Sequence, residues 1–115
     1  MDRIEVLSRL FNLLSEPNRL RILFIIGKEK KCVSDIIGET QLSQPLVSHH
    51  LRTLRESGVL VAERKAALVY YSLSDPRLID LLQALSGIEV KGSRKQTGWT
   101  FPPMRFMQLW MKGGE

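Results

Sequence analysis

Cysteine is almost absent from this chain of 115 residues, in which Cys32 is the one representative. A lone cysteine cannot form an intrachain disulfide, which excludes a disulfide-stapled secreted scaffold. The apolar runs are short, such as residues 22–26, and none is long enough to span a bilayer. The first ten residues carry Asp2 and Glu5 and lack the pattern of a signal peptide. We therefore expect a reduced, cytoplasmic protein with no membrane partner.

Catalytic constellations are missing as well. The two histidines of the chain, His49 and His50, are neighbours in one helical segment, and no glycine-rich phosphate loop is present. A nucleophile and its base cannot be assembled from these residues. The sequence therefore predicts neither an enzyme, nor catalytic residues, nor a cofactor.

What the chain does contain suits one small, basic domain. Its hydrophobic fraction of 43% allows a compact core, and its charged fraction of 25% argues against disorder. Seventeen Lys and Arg residues against twelve Asp and Glu residues give a net charge of +5. This balance favours a polyanionic partner without identifying it.

Helical periodicity organises the first half of the chain. Apolar residues from Ile4 to Leu14 recur at steps of three and four, which predicts an amphipathic first helix. We expect Ser15 to cap a second helix that ends near Gly27. A short third helix follows at about residues 33–38, and residues 40–42 form a tight connection. Ser43 then caps a fourth helix over residues 44–57, which Gly58 closes.

The period changes to two after Gly58. Residues 59–61 and 68–73 are predicted strands, residues 63–67 a polar tip, and Asp75 starts a last helix. The fold class is therefore mainly α with a small β-hairpin: a winged helix-turn-helix of about five helices plus a two-stranded wing. The alternative is an unrelated α+β domain that happens to contain a hairpin.

The fourth helix separates into an apolar face and a polar face. Val47, Leu51 and Leu54 fall together, and no acidic residue occurs before Glu56. Gln, Ser and His side chains can read base edges in the major groove of DNA, whereas Arg can serve a base or a phosphate. The alternative is a merely solvated polar face. We expect His50 to be a half-buried packing residue, with phosphate contact second. The predicted DNA-contact residues of this helix are Ser43, Gln44, Pro45, Ser48, His49 and Arg52.

Two cations lie in the predicted hairpin tip. Arg64 and Lys65 suit a wing that reaches a minor groove or the DNA backbone. An ordinary charged hairpin tip would have the same composition, so this interpretation stays open.

Three segments resemble the ArsR/SmtB family of bacterial regulators. Residues 15–23 are similar to the second-helix signature of the family, residues 42–54 to its recognition helix, and residues 58–61 with 69–73 to its wing strands. The resemblance covers roughly residues 3–85. It implies a homodimer, built from the first and last helices, that represses transcription at an inverted-repeat operator until an effector binds.

The metal sites of that family do not carry over. One family site has a Cys-x-Cys core, in which Cys32 matches the first cysteine but Ser34 replaces the second. A single thiolate cannot hold a soft metal or arsenic. The other site needs histidine on the last helix, and no histidine follows His50. We therefore predict no metal ligands, and the effector is an unidentified small molecule or a redox signal.

Cys32 itself has two interpretations. The first is a small buried or semi-exposed thiol without a chemical role. The second is a thiol switch, activated by the neighbouring Lys28, Lys30 and Lys31. The chain supplies no second cysteine to resolve an oxidised Cys32.

The expected domain organisation is a winged helix-turn-helix DNA-binding and dimerisation domain over residues 1–86, followed by a linker and tail over residues 87–115. Four of the eight aromatic residues lie in this tail: Trp99, Phe101, Phe106 and Trp110. So large an apolar set is expected to pack on the dimer. The alternative is a lid for a small apolar effector.

The predicted function is a sequence-specific DNA-binding regulator, a homodimeric repressor of an inverted-repeat operator. A competing hypothesis is a winged-helix protein–protein interaction module without DNA binding, which would place acidic or apolar residues on the exposed face of the fourth helix. Double-stranded RNA ranks lower because the narrow A-form major groove does not admit a helix.

Overall fold

The computed structural model describes residues 2–88 and confirms the winged helix-turn-helix. Five helices and three strands follow one another along these residues, and the helices are those that the sequence predicts. The third strand is an addition to the expected two-stranded ribbon. The elements are α1 (Arg3–Leu14), α2 (Pro17–Ile26), β1 (Lys31–Cys32), α3 (Val33–Thr40), α4 (Gln44–Glu56), β2 (Leu60–Lys65), β3 (Leu68–Leu73) and α5 (Arg77–Ser86). No helix within this part of the chain is long and apolar enough to cross a membrane.

The residue that caps α2 is Glu16, so the prediction of Ser15 is wrong. Ser15 keeps a helical backbone as the C-cap of α1, and its hydroxyl donates to the carbonyl oxygen of Asn12 at 2.7 Å. Glu16 is extended, and its Oε1 accepts from the backbone N–H of Asn18 at 2.9 Å. The chain turns only after Ser15, because that residue completes the preceding helix.

The connection between α3 and α4 is as tight as expected. Gln41 adopts a left-handed backbone with φ 63° and ends α3. The Thr40 hydroxyl donates to the carbonyl of Ile36 at 2.7 Å and accepts from the N–H of Leu42 at 3.2 Å. Ser43 caps α4 as predicted, since its Oγ accepts from the N–H of Leu46 at 3.3 Å. These contacts set the direction in which α4 leaves the turn.

The sheet is antiparallel, with β3 in the middle of the order β1-β3-β2. Strand β2 is longer than predicted, so Arg64 and Lys65 are its last residues and pair with Val69 and Leu68. The turn itself is only Ala66–Ala67. Tyr70 and Tyr71 in the middle of β3 are both half-buried.

The chain divides into two compact units, Met1–Ile79 and Asp80–Glu115. The hydrophobic core belongs almost entirely to the first unit, and among the described residues of the second unit Leu82 is also buried. The fully buried side chains of the core come from α2, α3, α4 and β2: Ile22, Leu23, Ile26, Ile36, Val47, Leu51, Leu54 and Leu60. In the second unit, the described residues carry exposed Leu81, Leu85 and Ile88. The aromatic tail lies outside the described residues, and the boundary expected after residue 86 stays a prediction.

Candidate nucleic-acid interface

Helix α4 has the two faces that its sequence predicts. Val47, Leu51 and Leu54 are completely buried and fasten the helix to the core. The opposite side is exposed to solvent over its whole length, and it presents polar and basic side chains before the first acid, Glu56. The predicted contact residues on this exposed side are Ser43, Gln44, Pro45, Ser48, His49 and Arg52.

The start of α4 is suited to an anion. Ser43, Gln44 and Pro45 are exposed, and no acidic side chain lies in the first turn. Pro45 has no N–H and the N–H of Leu46 donates to Ser43 Oγ, so it is chiefly the helix dipole that makes this end weakly positive. Because Ser43 Oγ uses a lone pair to cap the helix, its hydroxyl hydrogen remains available to donate.

The two wing cations do not form one cluster. Arg64 and Lys65 are both exposed at the end of β2. Successive side chains of a strand point to opposite faces, so the two cations serve different sides of the ribbon. Lys65 shares its face with Glu63, and the charge of Lys65 contributes to a lowered pKa of the Glu63 carboxyl. The larger cause of that lowered pKa is the hydrogen bond from Lys30 Nζ, which lies 2.7 Å from Glu63 Oε1.

Cys32 is buried at the start of α3, where its thiol contacts a carboxylate and a hydroxyl. Its Sγ donates to Asp35 Oδ2 at 3.2 Å and lies 3.1 Å from Ser34 Oγ. The hydrogen bond from the Cys32 thiol lowers the pKa of the Asp35 carboxyl, with a second contribution from the Cys32 backbone N–H.

The lysines near Cys32 in sequence contact carboxylates. Lys30 binds Glu63, and Lys31 Nζ lies 2.8 Å from Glu39 Oε2. A hydrogen bond to Glu39 raises the pKa of Lys31. The thiol switch at Cys32 stays a prediction. Within residues 2–88 no group of three or more His, Cys, Asp or Glu side chains is arranged to hold a metal ion.

A contact between Glu16 and His50 was missed by the sequence analysis. His50 is only 4% exposed, more deeply buried than expected, and its Nε2 lies 3.1 Å from Glu16 Oε2. Burial lowers the pKa of His50, the nearby Glu16 carboxylate raises it, and Arg19 and His49 lower it further. The position of His50 beside Val47 hinted at burial, but nothing in the sequence indicated its partner 34 residues away.

The sequence of this chain is similar to those of known regulatory proteins. The family model described as bacterial regulatory protein, arsR family, matches residues 16–61. A transcriptional repressor SmtB homolog from Synechocystis is 30% identical over 86 residues, which are 75% of this chain and 65% of that relative. The arsenical resistance operon repressor of Staphylococcus aureus is 30% identical over 88 residues, covering 76% of this chain and 85% of the relative.

Solved structures of other proteins have the same fold as this chain. The transcriptional repressor BigR from Xylella fastidiosa has a TM-score of 0.69 at 27% identity and covers 76% of this chain and 90% of its own. The homodimeric winged helix-turn-helix DNA-binding domain Mb0332 from Mycobacterium bovis has a TM-score of 0.67 at 24% identity. The match covers 77% of this chain and 91% of that domain. The chain therefore belongs to the arsR family of bacterial regulatory proteins, which are DNA-binding transcriptional regulators and not enzymes.

Proposed function

We propose that the protein is a homodimeric transcriptional repressor that binds an inverted-repeat operator through α4 and the β2–β3 wing. The observation that carries this proposal is the exposed side of α4, where polar and basic residues run without an acid from Gln44 to Arg55. A partner-binding helix of a protein–protein module would instead expose apolar or acidic residues. The buried face of α4, with Val47, Leu51 and Leu54, packs against the core and fixes the position of the helix.

In this proposal the exposed side of α4 enters the major groove. Gln44, Ser48 and His49 lie on its first half and read base edges, because amide, hydroxyl and imidazole groups match the donors and acceptors found there. Ser43 donates to a phosphate at the helix start, and Arg52 contacts a phosphate or a base. Pro45 lies in the first turn, where its missing N–H costs the helix nothing.

The wing supplies a second DNA contact. Arg64 and Lys65 lie on opposite faces of the ribbon, so each is placed to reach a different part of the duplex. A cation at the edge of a minor groove is attracted by the potential of the phosphates on both sides.

Dimerisation is supported by unpartnered apolar residues on α1. Ile4 is 72% exposed and Phe11 54% exposed, and with Leu7 they form one stripe along the helix. Such a stripe is stabilised when a second copy covers it. In the second unit, Leu81 and Leu85 are exposed on α5 in the same way. The homodimeric state of the Mycobacterium bovis neighbour agrees with this proposal.

The effector in this proposal is a small molecule or a redox signal. We assign no metal ligand set, because Cys32 is the one cysteine of the chain and both histidines lie on α4. Cys32 is the candidate thiol for a redox signal. Its thiol is buried and contacts Ser34 and Asp35, so an oxidant would have to displace these contacts first.

Affinity selection of genomic fragments by the purified protein tests the proposal. It is performed at physiological salt, where nonspecific phosphate binding is weak. We expect an enriched inverted repeat with half-sites about one helical turn apart. Fragments without a common sequence, bound with an affinity that collapses as salt rises, would contradict the proposal and favour the protein-interaction module.

A further inference from the structure

The two histidines of α4 contact each other, although His50 is buried and His49 is exposed. Their ring centroids are 5.4 Å apart, and the ring planes are tilted by 58°. Aromatic rings attract each other at such separations in tilted arrangements. Neighbouring side chains of a helix leave its axis about 100° apart, so the two rings meet only in particular rotamers. The contact therefore restricts the orientation of the exposed ring.

The buried ring of this pair is itself held in place. His50 is only 4% exposed, and its Nε2 lies 3.1 Å from Oε2 of Glu16. This approach lacks the geometry of a hydrogen bond, so Glu16 restricts the ring by close contact and charge. Glu16 is fixed in turn, because its Oε1 accepts from the N–H of Asn18 at 2.9 Å. A chain of contacts thus runs from the first turn of α2 through Glu16 and His50 to His49.

We propose that His50 and Glu16 are positioning residues for His49. They hold the His49 imidazole in one orientation before DNA arrives, and they thereby raise the discrimination at the base pair that His49 reads. This inference rests on the proposed function, in which His49 reads a base edge. It adds two residues that act through His49, from the buried side of α4.

A side chain that is ordered in advance discriminates better between base pairs than a mobile one. Ordering a free side chain at an interface lowers affinity by about two- to tenfold. This cost applies only to the correct base pair, because only there does the imidazole have to be fixed to form its hydrogen bond. Loss of the orientation therefore weakens binding to the correct sequence and leaves binding to a sequence mismatched at that position unchanged.

A purely structural role of His50 has a different consequence. If His50 only packs α4 against the core, its loss moves the whole exposed side of the helix, including Gln44, Ser48 and Arg52. Discrimination then falls at all the base pairs that α4 contacts. The two roles are separated by measuring the preference for each base pair individually.

The first test uses NMR of the full chain without DNA. The chain has two histidines, so His49→Gln and His50→Gln assign both sets of ring signals. We expect nuclear Overhauser contacts between the two rings in wild type. Glu16→Ser keeps a hydroxyl that can cap α2 but is too short to reach His50, and it should weaken these contacts. Glu29→Ser makes the same substitution at an exposed position and should retain them. Absence of ring-to-ring contacts in wild type would overturn the inference.

The second test measures affinity for a selected inverted repeat in which each base pair of the half-site is replaced in turn. His49→Ala identifies the base pair that His49 reads. At that pair His50→Leu should reduce discrimination by about two- to tenfold, and at the other pairs it should have no effect. His50→Phe keeps an aromatic ring beside His49 and should retain the discrimination. In the His49→Ala background, His50→Leu should cause no further loss.

Leu54→Val is the matched control, because it removes buried volume one turn further along the same face of α4. It should not change the preference at the base pair of His49 more than at the others. If His50→Leu does not fold, Glu16→Ser takes its place and should show the same loss at one position. A loss of equal size at every base pair would overturn the positioning role.

The outcomes distinguish this inference from the function on which it rests. If wild type shows no sequence preference, the proposed function falls, and the positioning of a base-reading residue falls with it. If wild type binds its operator and His49→Ala relaxes one base pair, but His50→Leu and Glu16→Ser leave that pair unchanged, the positioning role alone is overturned.

Discussion

Lys65 and Leu68 are the last paired residues of the β2–β3 ribbon, and only Ala66 and Ala67 connect them. Ala66 takes a positive φ of 56°, whereas Ala67 does not. Two-residue hairpin loops require such left-handed values, and glycine is the residue that adopts them without strain. The wing therefore carries local strain at one identified position.

Replacing that alanine by glycine should stabilise the protein. Ala66→Gly relieves the strain of a left-handed alanine but increases the freedom of the unfolded chain, and we expect a net gain of about 0.5 kcal/mol in the free energy of unfolding. Ala67→Gly is the matched control and should lose about 0.5 kcal/mol, because it adds only unfolded-state freedom. Urea denaturation measures both. Equal effects of the two substitutions would show that Ala66 is not strained.

The burial of His50 predicts how stability depends on pH. Its pKa in the folded protein lies below the unfolded value, so its contribution is complete above about pH 6.5 and is lost as the pH falls through the folded pKa. Wild type should lose about 1.4 kcal/mol for each unit by which the pKa is lowered. Urea denaturation between pH 8 and pH 5 should show a smaller loss in His50→Gln, while exposed His49→Gln retains the behaviour of wild type. If wild type and His50→Gln lose the same free energy of unfolding between pH 8 and pH 5, titratable groups other than His50 cause the loss.

The proposed division of labour on α4 predicts different losses for two variants. Arg52→Ala should weaken binding to all DNA sequences and reduce the salt slope by about one. Gln44→Ala should relax the preference at one base position by about 1–3 kcal/mol and leave the salt slope unchanged. Fluorescence anisotropy with mutated operators at several salt concentrations measures both properties. Arg9→Ala removes an exposed arginine on α1 and serves as control. If Arg9→Ala loses as much DNA affinity as Arg52→Ala, the effect of Arg52 reflects the net charge of the protein and not a specific contact.

The apolar stripe on α1 predicts how the dimer can be broken. Phe11 is 54% exposed in the single chain, so Phe11→Asp should leave the fold intact and yield monomers in sedimentation experiments. Asn12→Asp adds the same charge at the next position, about 100° around the helix, and should remain dimeric. Circular dichroism checks that both variants fold. A dimer that tolerates Phe11→Asp would place the interface elsewhere.

The helices and the exposed side of α4 could be predicted because their signals are local. Steps of three and four between apolar residues define which face of a helix avoids water, and Ser43 caps α4 through a hydrogen bond to Leu46, three residues away. The Ser15 cap failed for a local reason too. Ser15 and Glu16 could both cap the start of α2, but Ser15 is the C-cap of α1, so Glu16 caps α2.

Local patterns could not predict β1. Two residues, Lys31 and Cys32, form this strand only because Tyr71 and Tyr70 of β3 lie beside them. The backbone hydrogen bonds that define the strand belong to the pair, and neither segment encodes them alone. The full length of β2 depends on β3 in the same way.

The sequence by itself determined the order of the elements, the basic charge of the chain and the polar side of α4, since periodicity and composition are properties of neighbouring residues. Only the tertiary structure decided that Glu16 meets His50 and that Lys30 and Lys31 bind carboxylates on other elements. Contacts between distant residues depend on how helices and strands pack, and the free energy of that packing comes from the whole core rather than from either partner.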